Sequence, residues 1–145
     1  MEKKILVIED EQTMRLLLER SLPRELDKIT PPELKKGSSV KYEIVTKEDG
    51  MEALKWLEDF LPDLIICDVH MPNMDGYQFL ERIRQNGFTK HTPVVMLSGS
   101  SEKSEDRVTC YKLGAQDFLI KPFSPVELAY LVRKNLFPIQ YAIKW

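Results

Sequence analysis

The sequence predicts an α/β fold, a doubly wound five-stranded parallel sheet with helices on both faces and three α/β/α layers. Two observations carry this. Short apolar runs at residues 5–8, 64–67, 93–98 and 118–120 have the length of buried strands, and Tyr42 to Thr46 adds a fifth short strand. Between them lie longer stretches whose apolar residues recur at helical spacing, and strand–helix alternation of this kind gives a parallel sheet covered on both sides.

The elements follow in order. Ile5-Leu6-Val7-Ile8 closes on Glu9-Asp10-Glu11, and Met14, Leu17, Leu18, Ser21 and Leu22 then mark a helix from near Thr13 to Leu22. Residues 23–41 break the rhythm: Pro23, Pro31, Pro32, Gly37, Ser38 and Ser39 alternate with Lys and Glu. This reads as an insertion or long loop with a helical turn near Pro32 to Lys36, either a solvated excursion or a partner-docking segment. After the strand at 42–46, Ala53, Leu54, Leu57, Phe60 and Leu61 form a helical stripe. Leu64-Ile65-Ile66-Cys67 precedes Asp68, and Phe79, Leu80 and Ile83 mark the helix beyond. The helix after Ser98 carries Val108 and Tyr111 among many charges and stops at Gly114, a C′ glycine. Ser124-Pro125-Val126-Glu127 opens the last helix with a capping-box pattern and proline at the first helical position. The ending 137–145 is unusually apolar. It folds back on the domain, pairs two subunits or begins a linker.

Composition narrows the function. A chain of 145 residues that is 43% hydrophobic and 30% charged supports one packed domain. Its net charge of −2 gives no long-range attraction to nucleic acid or anionic membrane. No apolar run approaches a membrane span or a secretory signal. Cys67 and Cys110 lack metal-ligand spacing and read as thiols of a cytoplasmic protein.

A doubly wound sheet gathers the carboxyl ends of its strands on one edge. The residues falling there are Glu9, Asp10, Asp68, Ser98 and Lys121. Alone, Asp68 reads either as a functional acid or as a cap of the segment that follows. Together, three carboxylates repel unless a cation intervenes. All-oxygen donors that leave room for water and a phosphate oxygen suit Mg²⁺ (or Mn²⁺). Asp68 then has the chemistry of a carboxylate nucleophile toward phosphorus, with Lys121 and Ser98 facing the phosphoryl oxygens.

The run 5–11, the stretch 62–76 with Asp-x-x-Met-Pro-x-Met-Asp-Gly, residues 94–98 and Gly-Ala-Gln-Asp-Phe-Leu-Ile-Lys-Pro-Phe at 114–123 resemble the receiver domain of bacterial two-component response regulators, with some likeness to chemotaxis response regulators. The resemblance implies a receiver domain over 1–137, with an insertion at about 23–41, and a tail at 138–145. It implies the flavodoxin-like strand order 2-1-3-4-5. By it Asp68 is the phosphoacceptor, and Glu9, Asp10, Asp68 and the backbone carbonyl of His70 bind the metal. Ser98 and Lys121 contact the phosphoryl group, Phe118 is the aromatic switch, Gly99 keeps access open, and the Lys121–Pro122 bond is cis. His70 is either an exposed loop residue or a tuner of hydrolysis.

The implied function is a signalling switch rather than a turnover enzyme. A sensor histidine kinase or histidine phosphotransfer protein phosphorylates it, and the surface of the fourth helix, fifth strand and fifth helix responds. Output then passes to a protein target or an output domain outside this chain, with no direct nucleic-acid or membrane contact, and a homodimer is one arrangement. Two other readings compete. A haloacid-dehalogenase-type hydrolase needs a second Asp where His70 stands. A phosphorylation-independent interaction module would not need all five strand-end residues.

Overall fold

The computed structural model describes residues 1–35, 39–99 and 104–138. Its elements run β1 (Glu2–Ile8), α1 (Gln12–Ile29), a 3₁₀ turn (Pro32–Lys35), β2 (Lys41–Lys47), α2 (Gly50–Trp56), β3 (Leu64–Asp68), α3 (Gly76–Arg84), β4 (Val94–Ser98), α4 (Ser104–Lys112), β5 (Asp117–Ile120) and α5 (Pro125–Leu136). The five strands form one parallel sheet in the order β2-β1-β3-β4-β5, the flavodoxin-like order.

Strand alternation divides the core in two. Ile5, Val7, Leu64, Ile66, Val95 and Leu97 face α1 and α5, where they pack with Leu18, Leu22, Leu26, Leu128 and Val132. Leu6, Ile8, Ile65, Cys67, Val94 and Met96 face the other layer, against Ala53, Phe79, Leu80, Ile83 and Cys110. Both side-chain sets of each central strand are buried, which is why these strands read as unbroken apolar runs.

Two sequence expectations need correction. The helix does not stop at Leu22; α1 continues through Pro23 to Ile29, so the irregular segment begins only at Thr30. Proline removes one intrahelical N–H, yet Leu26 and Ile29 continue the apolar stripe of Leu18 and Leu22 against the core. The extension is also tied at its end. Arg133 of α5 donates to the Ile29 carbonyl at 2.8 Å, and Thr30 Oγ1 donates to the Leu26 carbonyl at 2.6 Å. That leaves the Tyr42 hydroxyl to donate to Thr30 Oγ1 at 2.5 Å. Residues 36–38, the centre of the expected insertion, lie outside the described residues, as do 139–145 of the apolar ending.

The second correction concerns α2, which ends at Trp56. Phe60 and Leu61 therefore lie beyond the helix and are exposed, although the Phe60 ring stacks on Trp56 at 5.1 Å.

Helix ends otherwise follow local chemistry. Gly114 has φ 101°, with Gly114 N–H donating to Tyr111 and Ala115 N–H to Cys110, a Schellman arrangement. Ser124 Oγ accepts from Glu127 N–H at α5. A full capping box forms at α3, where Asp75 and Gln78 bond reciprocally. Asp75-x-x-Gln78 is a readable pattern that sequence reasoning passed over.

Candidate phosphoacceptor and metal site

The parallel register places the ends of β1, β3, β4 and β5 along one edge. Ile8 aligns with Cys67, Asp68 with Leu97, and Ser98 with Ile120. Glu9, Asp68, Ser98 and Lys121 thus meet where the chain leaves the sheet, at the point where α1 and α3 depart to opposite faces. Ligands of open α/β sheets bind at such switch points.

Glu9 is fully buried and Asp68 nearly so, whereas Asp10 is exposed. One carboxylate oxygen from each lies within 4.8 Å of the others. Lys121 Nζ donates to Glu9 Oε1 at 2.6 Å and to Asp68 Oδ2 at 3.0 Å. Burial alone would lower the Lys121 pKa, but hydrogen bonds and charge from Glu9 and Asp68 outweigh it, so the net shift is upward. Lys121 therefore stays protonated. Although Asp10 is open to solvent on one side, partial burial on its inner side is the first cause pushing its carboxyl up, followed by its hydrogen bond to Glu9 and that residue's charge; a backbone hydrogen bond and the Lys121 charge offset part.

The remaining predicted residues are placed as follows. Ser98 Oγ is buried and has no hydrogen-bond partner among the described residues. Its backbone carbonyl accepts from Lys121 N–H at 2.6 Å, which holds β4 beside the Lys121 turn. The Lys121–Pro122 bond is cis, and Pro122 is exposed. Gly99 is half-buried, directly beyond β4. His70 is exposed, and its backbone N–H points at Asp68 Oδ1 from 3.4 Å. Phe118 is buried, and the Arg107 guanidinium of α4 covers its ring at 5.4 Å.

Sequence reasoning gave no role to three supporting residues. A Cβ on Gly76 would lie 2.4 Å from the Asp68 carbonyl oxygen and 2.8 Å from Val69 Cα, so only glycine lets α3 start this close to the Asp68 loop. Asn73 occupies the left-handed region at φ 70°, which Asn tolerates better than most residues. Arg15 is a third. It donates to the carbonyls of Glu9 and Asp10, both at 2.9 Å, and fixes the acidic turn from α1.

The donor set fits a hard divalent cation: oxygen ligands only, excess negative charge, and one exposed carboxylate on the open side. The orphaned Ser98 hydroxyl is a polar group suited to an anionic oxygen brought in by a ligand.

A doubly wound sheet with this acid cluster and lysine at its carboxyl edge defines a phosphoacceptor signalling domain rather than a turnover enzyme. The chain belongs to the response regulator receiver domain family, whose model matches residues 5–133. Its acidic pocket is the phosphoacceptor site typical of two-component response regulators. Among relatives, it is 38% identical over 136 residues to the alkaline phosphatase synthesis transcriptional regulatory protein PhoP of Bacillus subtilis, covering 94% of this chain and 49% of PhoP. Among solved structures it resembles chemotaxis protein CheY4 of Vibrio cholerae, with TM-score 0.74, 28% identity, and 92% and 98% of the two chains covered. It also resembles the receiver domain of sensor histidine kinase PA1611 of Pseudomonas aeruginosa, solved with a magnesium ion in its active-site cleft. There the TM-score is 0.74 at 26% identity, over 94% and 98% of the chains. The chain spans about half the length of the curated relatives it matches. Among the described residues, no helix is long and apolar enough to cross a membrane.

Proposed function

We propose that Asp68 accepts a phosphoryl group from a phosphohistidine, on a sensor histidine kinase or a histidine phosphotransfer protein, in a Mg²⁺-dependent reaction (Mn²⁺ having the same donor preference). The observation that carries this is the pairing of Lys121 with both Glu9 and Asp68, beside a buried Ser98 hydroxyl that has no partner among the described residues. A carboxylate oxygen of Asp68 forms the new O–P bond as the donor's P–N bond breaks. The imidazole leaves with the electron pair and is protonated by solvent. Bound Mg²⁺ would supply charge neutralisation at the phosphoryl oxygens, held by Glu9, Asp10, Asp68 and the His70 carbonyl.

The chain's own groups divide the remaining work. Lys121, already protonated, turns from bridging two carboxylates to meeting a phosphoryl oxygen. Ser98 Oγ donates to another such oxygen. Its movement opens space for the Phe118 ring, and the α4–β5–α5 surface changes with it. Gly99 leaves the approach to Asp68 unobstructed, and Pro122 shapes the turn that presents Lys121. The readout is altered binding to a protein target, to an output domain beyond this stretch, or to a second copy. A cytoplasmic setting suits the reduced thiols and the intracellular phosphodonor.

Intact-protein mass after incubation with acetyl phosphate and Mg²⁺ tests the reading. One labile phosphoryl adduct is expected, absent without Mg²⁺ and absent in Asp68→Asn. An adduct that persists in Asp68→Asn would defeat the assignment. So would a folded wild type that binds neither phosphoryl nor beryllofluoride.

A further inference from the structure

α4 is held lightly: Cys110 is the buried side chain among its described residues, whereas α3 and α5 each bury four residues. Two neighbouring residues in its first turns compensate. The Tyr77 hydroxyl, at the start of α3, donates to Asp106 Oδ1 at 2.5 Å, and Arg107 lies over Phe118. Tyr77 is half-buried, and its neighbour Gly76 is pinned to the Asp68 loop by a 2.7 Å bond from its N–H to the Val69 carbonyl. The Asp68 loop, the α3 start, α4 and the Phe118 ring are thereby joined through consecutive residue pairs, 76–77 and 106–107.

We infer that Tyr77 is a positioning residue whose hydrogen bond to Asp106 latches α4 in its resting place, keeps Arg107 over Phe118, and opposes activation at Asp68. The inference rests on the phosphoacceptor reading above. An activating ligand must favour the rearranged state over the latched one, so removing a bond made only in the latched state lets less ligand do the same work.

The test uses the full chain with Mg²⁺ and beryllofluoride, titrated by amide NMR shifts. Tyr77→Phe keeps the ring and loses the hydroxyl. It is expected to lower the half-saturating beryllofluoride concentration about 3–10-fold. Asp106→Ala, which removes the acceptor, should act in the same direction, and the double variant should add little to the shift, because both changes remove the Tyr77–Asp106 bond. Hydrogen exchange of the α4 amides without ligand should quicken in both. A bond with a merely structural role would quicken exchange or lower the melting temperature without moving the half-saturating concentration, and that result overturns the inference. An unchanged or raised concentration in Tyr77→Phe does so equally. If the wild type fails to bind, or if Asp68→Asn binds as well, the phosphoacceptor reading itself falls and the latch falls with it. Wild-type binding lost in Asp68→Asn, with no shift in Tyr77→Phe, removes the latch alone.

Discussion

The Lys121 ammonium donates to the fully buried Glu9 carboxylate at 2.6 Å, joining residues 112 positions apart in sequence. Its second bond, to Asp68, makes it the cation of a cluster that holds three acids. Breaking a buried pair by removing one partner leaves an uncompensated charge. Lys121→Met is therefore expected to destabilise the metal-free protein by about 2–4 kcal/mol, near the lower end for buried pairs because Lys121 is partly exposed. Urea unfolding measures this, and Mg²⁺ should recover more stability in the variant than in the wild type.

Asp10 supplies a pH dependence of known sign. Its folded-state pKa lies above the ordinary 3.8, so its ionisation costs stability once pH exceeds the folded value. That cost is relieved as pH falls through the folded pKa and is gone below 3.8. Asp10→Asn should raise the melting temperature of the metal-free protein at pH 7 by roughly 1–3 °C, a small gain because water screens an exposed group. The same variant should weaken Mg²⁺ binding, and wild-type Mg²⁺ affinity should decline as acidification approaches the raised Asp10 pKa. Calorimetric titration at two pH values checks both.

Gly76→Ala is expected to disturb the site through the backbone. Its Cβ would meet the Asp68 carbonyl at 2.4 Å, and backbone cannot yield as a flexible side chain can. A loss of about 1–3 kcal/mol, the usual range for overpacking, should accompany slower acetyl-phosphate labelling of Asp68. An unchanged labelling rate would show that the loop tolerates the shift.

Leu26→Ala measures what carries α1 through its proline. Leu26 is fully buried, so the change should cost about 2–5 kcal/mol, while Pro23→Ala should be neutral or stabilising. A negligible effect of Leu26→Ala would mean that the end contacts of Arg133 and Thr30 alone sustain the extension.

Arg84 ties three segments: it donates to the Gly114 carbonyl at 3.1 and 2.9 Å, the Thr89 carbonyl at 3.0 Å and Gln116 Oε1 at 3.1 Å. Gln116 Oε1 also accepts from Val94 N–H at 2.7 Å. Arg84→Met keeps the aliphatic stem, and thermal or urea melts should show a loss of about 1–3 kcal/mol from the unpaired carbonyls. This hub lies away from the carboxyl edge, so Mg²⁺ affinity should stay within twofold of the wild type.

Much of this was legible in residue order. Strands buried on both faces leave unbroken apolar runs, and the residues ending them must share one edge once the strands are parallel. Glu9, Asp10, Asp68, Ser98 and Lys121 could therefore be grouped before any coordinates. The course of α1 past Pro23 was not legible in the same way. A local breaker signal competes there with burial of Leu26 and Ile29, and the outcome depends on β-sheet and α5 surfaces remote in sequence. The early end of α2 is the converse case, because the spacing of Phe60 and Leu61 extends the helical period into a turn.

By itself, then, the sequence determined the layers and the acids at the sheet edge, because these follow from periodicity and strand polarity, and its motifs carried the family resemblance. Only the tertiary structure decided how those groups compensate one another. The Lys121 bridge, the burial of the Ser98 hydroxyl and the Tyr77–Asp106 bond depend on distances between elements far apart in the chain. The physical reason is range: periodicity reports which face a residue takes, whereas a hydrogen bond requires placement to within a few tenths of an ångström.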